Sequence, residues 1–395
     1  MLRTYQKKAI QDLYAWFEHH DGHPCLVLPT GSGKSHIIAE LCRDAIQSWP
    51  DTRILMLTHV KELIEQDAAK LRQHWPNAPL GIYSAGIGKR ELGEPITFAS
   101  IQSIRNHDVG FIDLCIIDEA HTPSHKDEGM YRTFITTLQQ KNPNLRVIGL
   151  TATPYRMGHG AITDDPALFD DLIEPVTIEE LQDQGYLADL RSKVTRSKLS
   201  PNGVAKRGGD YVEKDLQRVI DVQEKTEGVV DEVIELADNR KSWLFFCTGV
   251  DHARHVKDVL LSHGIAAECI TGATEKRERE RIIAAFKDGK IRALTNANVL
   301  TTGFDHPDID LIVMMRPTLS PGLYTQMAGR GLRLKTHTDY CLVLDFAGVV
   351  EMHGPITSVR IPKAHEQSGD ALPPSKICPE CDEIIAAQCR TCPRC

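Results

Sequence analysis

The sequence predicts an α/β chain of two similar lobes in tandem, each a parallel sheet with helices on both faces, followed by a small cysteine-rich tail. Three observations carry that expectation. Short, continuously apolar runs alternate with amphipathic stretches, which is how strands buried on both faces read. The alternation lapses near residue 158 and resumes near residue 225, so it occurs twice. Five of the 11 cysteines lie between Cys378 and Cys395.

Taken in order, residues 25–28 read as a buried strand and 35–47 as the helix after it. Residues 54–57 form the next strand and 61–74 the next helix. Strands at 96–99, 114–117 and 146–150 complete the first lobe. Between residues 158 and 225 lie turn signals, Asp164-Asp165-Pro166 and Pro201-Asn202-Gly203, and a short helix at 178–184. The second lobe has strands at 243–247, 267–270, 292–295, 311–314 and 341–344. Its helices fall at 252–262, 275–286 and 321–331. Pro362 to Pro374 reads as a linker. The expected domains are therefore 1–160, a connector with the start of the second lobe at 161–220, 221–350, a linker at 351–374, and the tail at 375–395.

A chain of 395 residues suits two or three domains. The formal net charge is -8, so any nucleic acid would be held in a local cleft and not over a wholly basic surface. Cys25, Cys42, Cys115, Cys247, Cys269 and Cys341 mostly sit in apolar runs and read as small buried hydrophobes. Free thiols without a signal peptide point to a reducing, cytoplasmic setting. No apolar run approaches the roughly 18 residues that span a bilayer.

Leu28-Pro29-Thr30-Gly31-Ser32-Gly33-Lys34-Ser35 lies between a predicted strand and a predicted helix. Glycines there let backbone N–H groups turn toward phosphates, and the helix N-terminus adds the positive end of its dipole. Pro29, Thr30, Gly31, Ser32, Gly33, Lys34 and Ser35 form the candidate ATP cradle. Lys34 reaches the β- and γ-phosphates and the Ser35 hydroxyl ligates Mg²⁺. Leu28 stands where the usual pattern has its first glycine. Ile116-Ile117-Asp118-Glu119-Ala120-His121 ends a later strand, and a parallel sheet brings such strand tips beside the loop. Asp118 is the second Mg²⁺ candidate. Glu119 would orient and deprotonate the attacking water, with His121 completing the set.

The order of these motifs resembles the superfamily 2 helicases and translocases, from Leu2 to Phe346. The resemblance implies two RecA-like domains. Leu2-Arg3-Thr4-Tyr5-Gln6 resembles the adenine-reading Q-motif, with Arg3, Tyr5 and Gln6 at the nucleotide. Thr151-Ala152-Thr153 resembles the motif that couples hydrolysis to strand binding. Asn296 to Asp305, with Thr301-Thr302-Gly303-Phe304-Asp305 at its core, resembles motif V and brings Gly303 and Asp305 to the nucleotide. Gln326-Met327-Ala328-Gly329-Arg330-Gly331-Leu332-Arg333 resembles motif VI. It implies that Gln326, Arg330 and Arg333 face the nucleotide from the second lobe, the arginines as fingers. Within the superfamily the motifs are most similar to bacterial RadD-type DNA repair ATPases, through Leu150 to Pro154, Gln184-Gly185-Tyr186-Leu187, Val299 to Asp305 and Gly329 to Leu334.

The resemblance carries nucleic-acid contacts onto His59, Ser100, Gln102, Thr151, Thr153, Thr248 and Thr301. These are mostly small polar residues at strand ends, where hydroxyls and backbone N–H groups suit phosphates. Taken singly, each serves equally as a helix cap. The run Lys276 to Arg281 reads as a solvated, ion-paired helix face. The implied function is an ATP-dependent motor on nucleic acid, with single-stranded or branched DNA expected as partner. An RNA helicase and a nucleotide-gated binding module are the alternatives.

In the tail, Cys378-Pro379-Glu380-Cys381 and Cys392-Pro393-Arg394-Cys395 form two matching knuckles. Four thiolates at this spacing bind Zn²⁺ tetrahedrally. The longer span between these pairs favours Cys378, Cys381, Cys392 and Cys395 as ligands, with Cys389 left over. The tail would then grip nucleic acid or a repair or replication protein.

Overall fold

The computed structural model describes residues 2–121, 125–156, 160–164, 168–237, 239–301, 303–359 and 375–395, with the side chains of 125–128 and 156 outside the description. Thr302 and the expected linker 362–374 lie outside the described residues, as does part of the turn at 164–166. The chain divides into two compact units, Met1–Arg156 with Ala161–Thr177, and Ile178–Cys395 with Met157–Gly160.

The first unit opens with α1 (Thr4–His19), β1 (Pro24–Val27), α2 (Lys34–Ser48), β2 (Ile54–Thr58), α3 (Lys61–His74), β3 (Leu80–Ser84) and β4 (Lys89–Arg90). It continues with β5 (Ile96–Ser100), α4 (Ile101–Ile104), β6 (Leu114–Asp118), α5 (His125–Lys141), β7 (Arg146–Thr151) and the short β8 (Tyr155–Arg156). β9 (Gly160–Ala161) pairs with β8, and β10 (Asp171–Ile173) returns to the main sheet. That sheet runs β10-β1-β7-β6-β2-β5-β3-β4, parallel throughout except for β4. Its central strands are buried along their whole length, as continuously apolar sequence requires. Tyr131, Phe134, Ile135 and Leu138 lay one face of α5 on Leu57, Cys115 and Ile117. Residues at spacings of three and four make that helix stripe.

The second unit holds α6 (Ile178–Asp183), β11 (Asp189–Lys193), a β12–β13 hairpin (Lys206–Arg207, Asp210–Tyr211), α7 (Glu213–Ile220) and α8 (Gln223–Ala237). Then come β14 (Trp243–Phe246), α9 (Val250–Ser262), β15 (Ala267–Ile270), α10 (Lys276–Lys287), β16 (Ala293–Asn296) and β17 (Leu311–Met314). α11 (Pro321–Gly329), β18 (Tyr340–Asp345) and α12 (Val349–His353) follow, and the tail forms a hairpin of β19 (Ser375–Ile377) and β20 (Ile384–Ala386). The sheet order is β11-β18-β17-β14-β16-β15, all parallel. α10 carries the mixed-charge run, with Arg281 Nη2 on Glu278 Oε1 at 2.6 Å at an exposed site.

The expected division at residue 160 moves. β10 adds to the edge of the first sheet beside β1, so residues through Thr177 group with the first unit. β11 pairs with β18, so what reads as connector supplies an edge strand of the second sheet. Its sequence, Asp-Leu-Arg-Ser-Lys, is polar because an edge strand is covered less than a central one. The tail is not a separate body. It groups with the second unit, where Val194 N donates to Asp382 O at 3.2 Å and Ser192 N to Glu383 Oε1 at 3.2 Å. No helix among the described residues is long and apolar enough to cross a membrane.

Candidate active site

The phosphate loop connects the end of β1 to the start of α2. Leu28 N donates to Thr151 O at 2.8 Å, which ties the loop entrance to the end of β7. Gly33 caps α2 with φ 82°, the left-handed region that L side chains avoid. A Cβ there would also lie 2.8 Å from Gln6 Nε2, so this position takes only glycine. The loop is braced by α1. Tyr5 Oη donates to Ser32 O at 2.6 Å and Gln6 Nε2 to the same oxygen at 2.9 Å. Gln6 Oε1 accepts from Arg3 N at 2.9 Å. Tyr5 and Gln6 are buried and brace the loop, while Arg3 is exposed.

The acidic box ends β6. Asp118 closes the strand and Glu119 follows with φ 50°, a conformation that costs a non-glycine residue about 1–2 kcal/mol. Such strain persists where the surroundings over-determine it. Here Ala120 N donates to Leu150 O at 2.9 Å and fixes the turn. The Glu119 carboxylate then sits between two partners. Its Oε1 is 3.7 Å from Lys34 Nζ and its Oε2 is 3.4 Å from His121 Nδ1. His121 Nδ1 is also 2.7 Å from Thr151 Oγ1. That hydroxyl lies 3.2 Å from Thr153 O as its acceptor and accepts from Thr153 N at 3.0 Å. Because the Thr151 proton goes to Thr153, the Nδ1–H of His121 is the donor. A continuous polar chain therefore runs Lys34–Glu119–His121–Thr151–Thr153.

A third carboxylate joins the set, one that the motifs do not mark. Asp67 of α3 is 2% exposed and hydrogen-bonds the Ser35 hydroxyl. Burial raises its carboxyl to about 7, with the Ser35 bond opposing and the charge of Glu119 adding to the rise. Burial, then the charges of Asp67 and Glu119, hold the Asp118 carboxyl well above the usual range, against the pull of Lys34. Asp118 Oδ1 and Asp67 Oδ2 are both buried without a hydrogen-bond partner. Two orphaned carboxylate oxygens beside a serine hydroxyl fit a hard divalent cation such as Mg²⁺, which takes oxygen ligands. The sequence does carry a signal for Asp67. It occupies the buried stripe Ile64, Asp67, Ala68, Leu71, where an apolar residue is the norm.

In the second unit the expected nucleotide-facing groups gather into one patch. Arg330 Nη1 donates to Phe304 O at 2.5 Å. Arg333 Nε meets Asp305 Oδ1 at 2.7 Å, while its Nη1 is buried without a partner. Gly303, just before, takes φ 68°. Burial pulls the Arg333 guanidinium below its ordinary value and Asp305 opposes that. Gln326 lies half-buried one turn before Arg330 on α11.

The expected strand contacts divide. Gln102 is exposed and His59 half-buried, its Nδ1 3.0 Å from Tyr131 Oη. Ser100 is buried and donates to Ser103 Oγ at 2.8 Å. Thr151, Thr153 and Thr248 have no exposed surface, and Thr248 Oγ1 lies 2.8 Å from His252 Nδ1. Thr301 is buried at 7% exposure. Their hydroxyls therefore organise the strand ends, while Gln102 is exposed.

In the tail, the sulfurs of Cys378, Cys381, Cys392 and Cys395 lie within 4.8 Å of one another. The closest pairs are Cys378–Cys395 at 3.6 Å and Cys381–Cys392 at 3.8 Å. A tetrahedron with Zn–S bonds of about 2.3 Å has edges of about 3.8 Å. The backbone N–H of Arg394 points at Cys392 Sγ from 3.4 Å and pulls that thiol down to about 6, toward the thiolate a metal needs. Cys389 stands outside the four. The hairpin is seated by Arg394 Nη1 on Asp189 Oδ2 at 2.5 Å and by buried Ile384 and Ile385. A cleft of about 460 Å³ beside it is lined by Tyr324 and Ala328 of α11, Ile356, Glu383 and Arg394.

Comparison with known proteins matches residues 1–156 to the family model described as type III restriction enzyme, res subunit, and residues 224–335 to the helicase conserved C-terminal domain. The chain is similar to IRC3 of Saccharomyces cerevisiae, named there as a candidate ATP-dependent helicase, with 28% identity over 88% of this chain and 52% of that one. It thus spans about half the length of that relative. It is 24% identical to the DNA 3'-5' translocase XPB2 of Sulfurisphaera tokodaii, over 85% of this chain and 79% of that one. Its fold matches a solved fragment described as an HsdR-type subunit of a type I restriction enzyme from Vibrio vulnificus, with a TM-score of 0.64 and 21% identity over 88% of this chain and 64% of that one. The loop, the acidic box and the two parallel sheets, joined to these matches, give this chain the two domains of the superfamily 2 helicases, related to type I restriction HsdR subunits and to the Irc3 helicases.

Proposed function

We propose that this chain is an ATP-driven translocase whose track is DNA. The observation that carries the reading is the polar chain from Lys34 through Glu119, His121 and Thr151 to Thr153. It links the group that holds the terminal phosphate to the end of β7, where strand-coupling residues are expected. The phosphate loop and Lys34 hold the β- and γ-phosphates. Glu119 takes a proton from water as its oxygen bonds to the γ-phosphorus, and the bond to the bridging oxygen of ADP breaks. Ser35 and Asp118 would hold Mg²⁺, which would neutralise charge on the phosphates. When Glu119 changes charge, His121 must redistribute its hydrogen bond between Glu119 and Thr151, and Thr153 moves with it. Arg330 and Arg333 are the proposed finger residues, of a kind that contributes about 10³ to 10⁵ in rate.

DNA as the track rests on the DNA translocase XPB2 and on the restriction-enzyme relatives. The motif sequences further favour kinship with RadD-type DNA repair ATPases, in a reducing compartment such as the cytoplasm. The four-cysteine hairpin binds Zn²⁺ and offers its outer face to DNA or to a repair or replication protein. The deciding experiment is ATPase rate with single-stranded, duplex and forked DNA and RNA, side by side. Stimulation by DNA above RNA is expected. Tight binding with no stimulation would instead make the chain a nucleotide-gated binder, and preference for RNA would replace the track.

A further inference from the structure

Arg316 stands two residues after the end of β17 and precedes Pro317. It is only 8% exposed, yet its Nε and Nη1 have no hydrogen-bond partner, and it forms no ion pair among the described residues. A buried guanidinium normally satisfies its fork with a carboxylate or a carbonyl, because unmet N–H groups away from water are costly. Two carboxylates are close enough for their charge to act on it, Asp210 and Glu213. Both are engaged elsewhere. Asp210 accepts from Thr318 Oγ1 at 2.7 Å and from Leu319 N at 2.8 Å. Glu213 Oε2 accepts from Asn298 Nδ2 at 3.2 Å.

The position is set by sheet register. Phe246 stands opposite both Asn296 and Met314 in the parallel ladder. Two residues beyond that rung come Thr248, Asn298 and Arg316, so Arg316 shares the carboxyl end of the sheet with the start of motif V. Ligands of open α/β sheets bind at that end. We infer that Arg316 is a phosphate-binding residue of the second unit, its planar fork taking the oxygens of a backbone phosphate of the bound strand. Guanidinium and phosphate match in a bidentate pair, which lysine cannot reproduce. The contact positions the strand without reading its bases. The inference rests on the nucleic-acid reading above. Asp210, locked in place by Thr318 and Leu319, adds a nearby negative charge that favours the charged guanidinium.

The test uses the full chain and a fluorescent oligothymidine, with anisotropy titrations at several salt concentrations. Arg316→Ala should weaken binding about tenfold and lower the magnitude of the log K against log salt slope by about 0.7, the value for one single-strand phosphate. Arg316→Gln should give the same slope loss, which covers an alanine variant that misfolds. Arg316→Lys should keep the slope and lose part of the affinity. Affinity for a fluorescent ATP analogue should be unchanged in all three. If nucleotide affinity falls while the strand slope stays, the phosphate belongs to the nucleotide and the inference is overturned. If neither changes, Arg316 is only a counter-charge for Asp210 and Glu213, which overturns it equally. A wild-type chain that binds no strand overturns the proposed function and this inference together.

Discussion

The two units share one architecture and use its carboxyl edge differently. In the first, the charged groups at the strand tips belong to a connected set: Lys34 meets Glu119, Glu119 meets His121, His121 meets Thr151. In the second, the arginines stand on short tethers, Arg330 on a carbonyl and Arg333 on Asp305, while Arg316 has no bonded partner among the described residues. The first unit is prewired for chemistry. The second holds cations ready for anions that come from elsewhere. Parallel sheets with the same handedness converge strand ends in both cases, so the difference lies in side chains and not in fold.

The largest effect should come from breaking the wiring at its source. Lys34→Ala should reduce ATP hydrolysis by about 10²-fold or more, the scale of removing one preorganised transition-state donor; unchanged turnover would refute the assignment of the loop. Second comes the seat of the second unit. Cys392→Ser should abolish stoichiometric zinc, read by metal analysis as about one ion per chain in the parent, and lower the thermal midpoint by several degrees. A variant that keeps both its zinc and its midpoint would show the four thiols are not a metal site.

A subtler cut separates wiring from chemistry. Thr151→Val is nearly isosteric but removes the hydroxyl that His121 Nδ1 and Thr153 N both meet. DNA-stimulated ATPase should fall about tenfold, the consequence of losing roughly 1.4 kcal/mol, while nucleotide affinity is retained. Equal loss of basal and stimulated rates would mean the chain does not carry coupling. The smallest effect concerns Asp67. Its folded-state carboxyl titrates at about 7, raised above an ordinary aspartate, so its contribution to stability is present at low pH and is lost as pH rises through about 7. Asp67→Asn should therefore raise the melting midpoint of the metal-free protein at pH 8, with the gain shrinking toward pH 5, and should weaken Mg²⁺ binding measured by calorimetry. A gain independent of pH would argue against a charged Asp67.

Much of this is readable in the sequence where chemistry needs special residues. The loop is legible because Gly31, Gly33 and Lys34 sit between a strand and a helix, and the four sulfurs because their knuckles match. Central strands announce themselves by unbroken apolar runs. What escapes depends on three-dimensional context. β3 contains Gly81 and ends in Ser84, and β11 alternates charge because it lies at an edge. α1 stands out for Arg3, Tyr5 and Gln6 as a motif, although its stripe of Tyr5, Gln6, Ala9, Ile10 and Leu13 is also a helix signature. Asp67 looks like one more acidic position in a charged helix, and Arg316 like the start of a loop. Only its place in the stripe of Ile64, Ala68 and Leu71 hints that Asp67 is buried, and nothing local does so for Arg316. The bonds from Gln6 to Ser32 O and from Thr153 N to Thr151 Oγ1 escape too, since sequence alone does not show how hydrogen bonds are spent.

The seating of the cysteine hairpin has a consequence for the life of the protein in a cell. β11 is the outermost strand of its sheet, and the hairpin covers it through Lys193 opposite Glu383 and Val194 on Asp382. An uncovered edge strand is a template for pairing with another chain. If the four thiols hold zinc as proposed, that cover is conditional on the metal. A newly made chain short of zinc would then expose the strand and be drawn toward aggregation or degradation, so metal supply would set how much folded protein the cell keeps.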